Sequence, residues 1–244
     1  VKLGYRRDPV GQIPVLYTTF NRLEYTKKTL PALLQNTPEG QIMVVDNGST
    51  DGTVPYLRSL LAGSSGFYLK LHSKNGGIAG AMNALFAATP NAQVVAKVDN
   101  DTLVQPQWLE RLHAALLETD FEVLQANHAI VDRNYGSFAE MKVKSPCLSS
   151  TYGDVIVRPA VGGSGVVLRR DRIGAPKLVN EGLSAWWTLQ ALNQGWKKGF
   201  LQDVWVDLLD MQDFNQYRED IDLEYHELSG RAKHNREEGI SGTS

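Results

Sequence analysis

One cysteine in 244 residues, Cys147 within "KSPCLSS", excludes any disulfide inside the chain. It fits a reducing compartment, so the protein is expected to be cytoplasmic, with Cys147 structural. Charge of one sign is lacking too: 25 Lys and Arg stand against 27 Asp and Glu, a formal net charge of -2. Bulk attraction to nucleic acid or an anionic membrane is thereby excluded, and a nucleic-acid acceptor would need a local basic patch. No run approaches the roughly 18 consecutive apolar residues of a membrane span, and the start lacks the apolar block of a secretory signal. A soluble chain without a transmembrane segment is expected. The histidines, among them His72 and His128, show no paired metal-ligand spacing, and no Ser-His-Asp order is present.

What is there is a 42% hydrophobic composition, enough for a sizeable core. Strand-like "IPVLYTTF", "QIMVVDN", "FYLKLHS" and "AQVVAKVDN" alternate with helical "EYTKKTLPALLQN", "TVPYLRSLLAG", "IAGAMNALFAAT" and "QPQWLERLHAALLET". This βαβ rhythm predicts an α/β fold with a mostly parallel central sheet and helices on both faces. Ligands in such sheets collect where strands end and helices begin. The polar clusters "TTFNR", "DNGSTDGT", "KNGG" and "DNDT" fall at those junctions. Beyond residue 120 the rhythm changes: "EVLQANHAIVD" and "VIVRPAVGGSGVVLRRD" suggest strands, and "SAWWTLQALNQGW" a helix from N-cap Ser184 to Gly195.

Asp99 and Asp101, one residue apart after an apolar strand, repel unless something sits between them. A hard divalent ion is the usual remedy, and Mg²⁺ or Mn²⁺ would keep open positions for phosphate oxygens. The plainer alternative is an Asx turn with capping aspartates before a helix at Pro106. In "VVDNGSTDGT", Asp51 or Thr53 is placed to cap the next helix; Asp46 is not explained by capping and suits a base or ribose hydroxyl. Gly76 and Gly77 allow close backbone approach before a helix whose N-terminus faces a phosphate, or else form a tight turn.

In order and spacing, "VLYTTFNR", "MVVDNGSTDGT", "KNGGIAGAMNALF" and "KVDNDTLVQPQWLERL" resemble the nucleotide-binding half of family 2 glycosyltransferases with the GT-A fold. The resemblance covers about residues 14–117. It implies that Thr18, Phe20, Asn21 and Asp46 line the base and ribose pocket and that Asn75 and Gly76 border it. It also implies that Asp99-Asn100-Asp101 is a DxD motif holding Mn²⁺ or Mg²⁺ and the diphosphate. "AVGGSGVVLRRD" resembles the family's strand beside the donor sugar, which implies contacts from Gly162, Gly163 and Ser164.

The acceptor half departs from the family. An acidic pair usually precedes the helix ending in Gly plus an aromatic residue, yet its customary position here is Leu183; the nearest carboxylate, Glu181, is the candidate general base. Where many relatives carry a metal-binding His, this chain has Asp207, Leu208 and Asp210, and Asp207 is the candidate third ligand; a solvated loop carboxylate is the alternative. Trp186 and Trp187 divide between the core and an acceptor face.

The expectation is one GT-A domain over 1–210, with a nucleotide half at 14–117 and an acceptor half at 118–210, followed by a C-terminal extension at 211–244. Its function would be inverting, metal-dependent transfer from a nucleoside diphosphate sugar to an acceptor hydroxyl on a saccharide, lipid-linked sugar, protein or nucleic acid. Rival readings are a retaining GT-A enzyme, a nucleotide-sugar binding module without catalysis, and a nucleotidyltransferase. Against the last, no glycine-rich basic phosphate loop lies near the first strand.

Overall fold

The computed structural model describes residues 13–37, 42–62, 68–128, 146–158, 161–175 and 193–209. The chain divides at Leu209 into two units, and every described residue belongs to the first. The extension expected at 211–244 lies outside the described residues, as do Glu181, Trp186, Trp187 and Asp210.

The first half follows the alternation read from the sequence: β1 (Val15–Thr19), α1 (Leu23–Asn36), β2 (Ile42–Asp46), α2 (Thr53–Ala62), β3 (Tyr68–Leu71), α3 (Gly77–Ala88) and β4 (Val94–Asp99). A short β5 (Thr102–Val104) and α4 (Trp108–Glu118) come next. They are followed by β6 (Val123–Asn127), β7 (Cys147–Ser150), β8 (Gly153–Val157), β9 (Val166–Arg169) and β10 (Lys198–Leu208).

The strands form one sheet in the order β3-β2-β1-β4-β9-β6-β10-β8-β7, with β5 pairing β10. The run β3-β2-β1-β4 is parallel throughout. β9 lies between β4 and β6 and is antiparallel to both, whereas β6 and β10 are parallel. The C-terminal ends of β1, β2, β4 and β6 and the approach to β9 therefore share one rim.

Side chains alternate across the sheet with period two, which sorts the apolar residues into two cores. Val15, Tyr17, Val44, Ala96 and Val98 pack with Leu30 and Leu33 of α1, Leu57 of α2 and Leu112 of α4. Leu16, Met43, Val45 and Val95 face the other way, against Met82, Leu85 and Phe86 of α3. Helices thus cover both faces. Two buried polar groups in the first core are paired: Trp108 Nε1 donates to Thr37 Oγ1 at 3.3 Å, and the Tyr17 hydroxyl lies 2.8 Å from Thr29 Oγ1. Burial pushes the Tyr17 phenol well above its ordinary range, so it stays neutral.

Candidate active site

The site is assembled from the loops that leave β1, β2, β3 and β4. After β1, Asn21 and Arg22 adopt consecutive left-handed conformations, φ 53° and 59°. Non-glycine residues seldom do so, and the neighbouring loop holds them there. Asn21 N donates to Ser49 Oγ at 2.7 Å, and Asn21 Oδ1 accepts from Thr50 N at 2.8 Å. Asp51 joins the two loops: one carboxylate oxygen accepts from Leu23 N at the start of α1, the other from Thr53 N and Thr53 Oγ1 at the start of α2. The capping role read for Asp51 is present and extends to a second helix.

Asp46, at the end of β2, is fully buried. Its Oδ1 accepts from Gly48 N and Ser49 N, both at 3.0 Å, and its Oδ2 from Ser49 Oγ at 2.5 Å. The carboxylate thus shapes its own loop. Gly48 is required there twice over, having φ 87° and a Cβ position only 3.2 Å from the Lys74 backbone. The β3 loop is tied in by His72 N donating to Asp46 O and by His72 Nδ1 lying 3.1 Å from Asn47 Oδ1. Asn75 Oδ1 accepts from Gly77 N at 2.8 Å, so Asn75 satisfies the first N–H of α3 at the rim, with Gly76 as the N-cap residue.

The turn after β4 carries Asp99, Asn100 and Asp101. Asn100 is buried beneath the rim, with its Nδ2 donating to Asn21 O at 2.9 Å and to Thr19 Oγ1 and Thr26 Oγ1 at 3.2 Å each. Its own carbonyl accepts from Thr29 Oγ1. Its side chain therefore braces the β1 loop and faces away from the rim. The flanking carboxylates are partly exposed, Asp99 by 23% and Asp101 by 20%. Thr18 Oγ1 donates to Asp99 Oδ1. The wholly buried ammonium of Lys97 lies 2.6 Å from that same oxygen. Asp101 Oδ2 faces Arg22 Nη1 at 3.3 Å, and the Arg22 guanidinium lies 5.5 Å from the Tyr25 ring centre.

The Gly162–Ser164 loop is fastened to this turn. Lys97 Nζ also donates to Gly163 O at 2.6 Å, Asp99 N donates to Ser164 Oγ at 2.8 Å, and Thr102 Oγ1 lies 2.7 Å from that hydroxyl. On the far side, Gln125 of β6 receives Gly162 N and donates to Ser164 O. A Cβ on Gly162 would stand 2.7 Å from Gln125 Nε2, which explains the glycine. Thr18, Asp99, Gly163 and Ser164 are thereby brought into one network.

Asp207 lies on the β10 end beside the Asp99–Asp101 turn, where Leu208 pairs with Thr102 and Leu209 N donates to Asp101 O at 2.8 Å. It faces Leu103 in the β5–β10 pair, and its Oδ2 accepts from Gln105 Nε2 at 3.2 Å. Among the described residues no group of three or more His, Cys, Asp or Glu side chains is placed to hold a metal ion. The donor set still suits a hard divalent cation. It offers carboxylate oxygens from one turn: both side-chain contacts to Asp99 fall on Oδ1, whereas Asp101 is held by Arg22 Nη1 on Oδ2 and Thr102 Oγ1 on Oδ1, contacts that a cation would have to share.

Arg22, Lys97, Thr102 and Gln125 were not singled out from the sequence. A lysine in the middle of the apolar strand "VVAKVDN" was the available signal for Lys97, because a fully buried cation needs a fixed partner.

A strand-end site framed by glycine turns on a sheet with this strand order defines a nucleotide-sugar transferase type of fold. The Glycosyl transferase family 2 model matches residues 15–159, and the chain belongs to that family. An uncharacterized glycosyltransferase, alr2836, of Nostoc sp. (strain PCC 7120) is 27% identical over 148 residues, 60% of this chain and 46% of the relative. Glycosyltransferase AglE of Haloferax volcanii is 24% identical over 206 residues, 79% of this chain and 65% of AglE. The chain thus spans about half to two thirds of the length of these curated relatives.

Solved structures share the GT-A fold. The mannosyltransferase PcManGT from Pyrobaculum calidifontis, in complex with GDP-Man and Mn²⁺, superposes with a TM-score of 0.62 at 19% identity, covering 84% of this chain and 61% of its own. S. aureus TarS residues 1–349 with UDP-GlcNAc superposes at 0.54 and 18% identity, over 80% and 58% of the two chains. GalNAc-T7 with UDP, GalNAc and Mn²⁺ does so at 0.58 and 13% identity, over 82% and 44%. Among the described residues no helix is long and apolar enough to cross a membrane.

Proposed function

We propose that this chain transfers a sugar, with inversion, from a nucleoside diphosphate sugar to an acceptor hydroxyl, using Mn²⁺ or Mg²⁺. The observation that carries the reading is the pair Asp99 and Asp101, both partly exposed on the β4 rim; Lys97 and Arg22 stand against them, and a divalent ion would share those carboxylates. Family membership and the Mn²⁺ and nucleotide sugars in the solved neighbours support it.

In this reading Thr18, Phe20, Asn21 and the Asp46 loop receive base and ribose, and Asn75 and Gly76 place the α3 N-terminus against phosphate. Asp101 and Asp99 would hold the metal, with Asp207 in reserve; the bound ion supplies charge neutralisation for the departing diphosphate. Gly162, Gly163 and Ser164 border the sugar. Glu181 takes the acceptor hydroxyl proton as the acceptor oxygen bonds to the anomeric carbon, and the bond to the diphosphate breaks with its electron pair leaving on phosphate oxygen.

A panel of nucleoside diphosphate sugars tested by thermal shift with and without Mn²⁺ examines the reading. The true donor raises the melting temperature by mass action, more so with the metal. A panel in which no donor shifts the transition would overturn it. Anomeric analysis of the product then separates inversion from retention.

A further inference from the structure

Asn127 closes β6 and is fully buried, yet among the described residues its Nδ2 has no hydrogen-bond partner. Its Oδ1 accepts from His128 N at 2.9 Å. His128 is 8% exposed, its Nδ1 likewise has no partner among the described residues, and its ring stands edge-on to Phe200 with centres 5.8 Å apart. Two adjacent unpaired polar groups in the interior are costly and call for a partner, which a water or a ligand would supply.

Their location is specific. Gln125, two residues earlier on the same face of β6, holds Gly162 and Ser164, and Ala126 N donates to Gly165 O at 2.8 Å. β6 runs in the same direction as β4, so Asn127 and His128 end on the rim that carries Asp99 and Asp101. The Gly162–Ser164 loop lies between the two strand ends.

The chemistry of the pair selects the ligand. Burial holds the His128 imidazole down to about 4, so the ring is neutral at pH 7. An uncharged amide donor beside an uncharged imidazole does not favour phosphate, carboxylate or a cation. It suits hydroxyl groups, which both donate and accept. We propose that Asn127 Nδ2 and His128 Nδ1 form a subsite for saccharide hydroxyls beside the Gly162–Ser164 loop. The proposal rests on the glycosyltransferase reading above and adds residues and ligand chemistry to it.

Two variants test it. Asn127→Asp keeps an acceptor for His128 N and removes the amide donor; His128→Phe keeps a ring against Phe200 and removes both ring nitrogens. Because His128→Phe deletes an unpaired buried nitrogen, its melting temperature at pH 7 should not fall. Calorimetry with Mn²⁺ is run on the nucleotide sugar that the donor panel selects and on the same nucleoside diphosphate without sugar. Transfer is followed with p-nitrophenyl glycosides as acceptors.

The bare diphosphate should bind each variant within twofold of wild type, while a sugar-dependent quantity weakens about tenfold per lost hydrogen bond. Loss of the extra affinity of the intact donor identifies the donor sugar as the ligand. Unchanged donor affinity with a raised glycoside KM identifies the acceptor. The proposal is overturned if both quantities stay within twofold, or if bare diphosphate binding falls equally. A wild-type chain that binds no nucleotide sugar overturns the glycosyltransferase reading instead. The subsite is then read from ¹⁵N-histidine spectra with the glycosides: a shifted His128 Nδ1 resonance sustains it, and an unmoved one removes it.

Discussion

Lys97 Nζ lies 2.6 Å from Asp99 Oδ1 and 2.6 Å from Gly163 O, with its side chain wholly shielded from solvent. One buried ammonium therefore fixes both a carboxylate of the candidate metal turn and the loop assigned to the donor sugar. Lys97→Met keeps most of the volume and removes the charge. Breaking a buried pair costs several kcal/mol; with Asp99 23% exposed, about 3 kcal/mol is expected. Urea unfolding measures it, and a change below about 1 kcal/mol would contradict the coupling.

Asp46 serves its own loop through both carboxylate oxygens, so Asp46→Ala should lose stability as well as nucleotide affinity. About 1–3 kcal/mol of unfolding free energy is at stake, because Gly48 N and Ser49 N lose their acceptor. Affinity for a nucleoside diphosphate should drop by about one to two decades. Calorimetry at a temperature where the variant is still folded separates the two effects; unchanged affinity there would confine Asp46 to the loop.

Burial keeps the folded His128 imidazole near 4, whereas the unfolded chain titrates near 6.5. Between those values the unfolded state binds the extra proton, so this contribution is complete above pH 6.5 and is lost as the pH falls toward 4. The loss amounts to roughly 3 kcal/mol. Burial also lowers His72 and His113, and both act in the same direction. His128→Phe should flatten the fall in urea stability between pH 7 and pH 4.5; an identical fall in both proteins would show that His128 titrates normally.

Glu181→Gln should cut turnover by about 10² to 10⁴-fold with donor affinity nearly unchanged, since glutamine cannot take a proton at neutral pH. Asp207→Asn, Asp210→Asn and Asp213→Asn, the carboxylates that follow the "SAWWTLQALNQGW" segment in the sequence, are the controls. Retained turnover in Glu181→Gln with collapse of one aspartate variant transfers the base to that residue.

The first half of the fold was legible because each buried strand is a short apolar run ending in a polar cluster, as in "QIMVVDN". In the later half the strands in "EVLQANHAIVD" and "VIVRPAVGGSGVVLRRD" were legible as β6, β8 and β9, but their order was not, since it depends on pairing between distant segments. β5, Thr102–Val104, reads locally as part of a turn and becomes a strand only by pairing β10. Likewise, nothing local places β9 between β4 and β6 in the opposite direction.

At the site, the polar residue types were visible, but their bonding was not. Asp46 turned out to organise its own loop through i to i+2 and i+3 hydrogen bonds, and Asn100 to point beneath the rim. Asn127 and His128 carried the same strand-end signal as the four earlier clusters. In the sequence a lone histidine without metal spacing suggests no chemistry; the burial of His128 is what distinguishes it.

The most direct test is calorimetric titration of wild type and Asp101→Ala with the selected nucleotide sugar, with and without Mn²⁺, followed by analysis of the released product. The Arg22–Asp101 pair is 3.3 Å long with side chains only 11% and 20% exposed, so the variant should lose about 1–3 kcal/mol of stability, and the titration is run at a temperature where it is still folded. The account predicts that wild type binds the donor far more tightly with Mn²⁺ and releases a nucleoside diphosphate, and that Asp101→Ala loses both. Wild-type transfer by Asp101→Ala in Mn²⁺, or pyrophosphate as the released product, would contradict it.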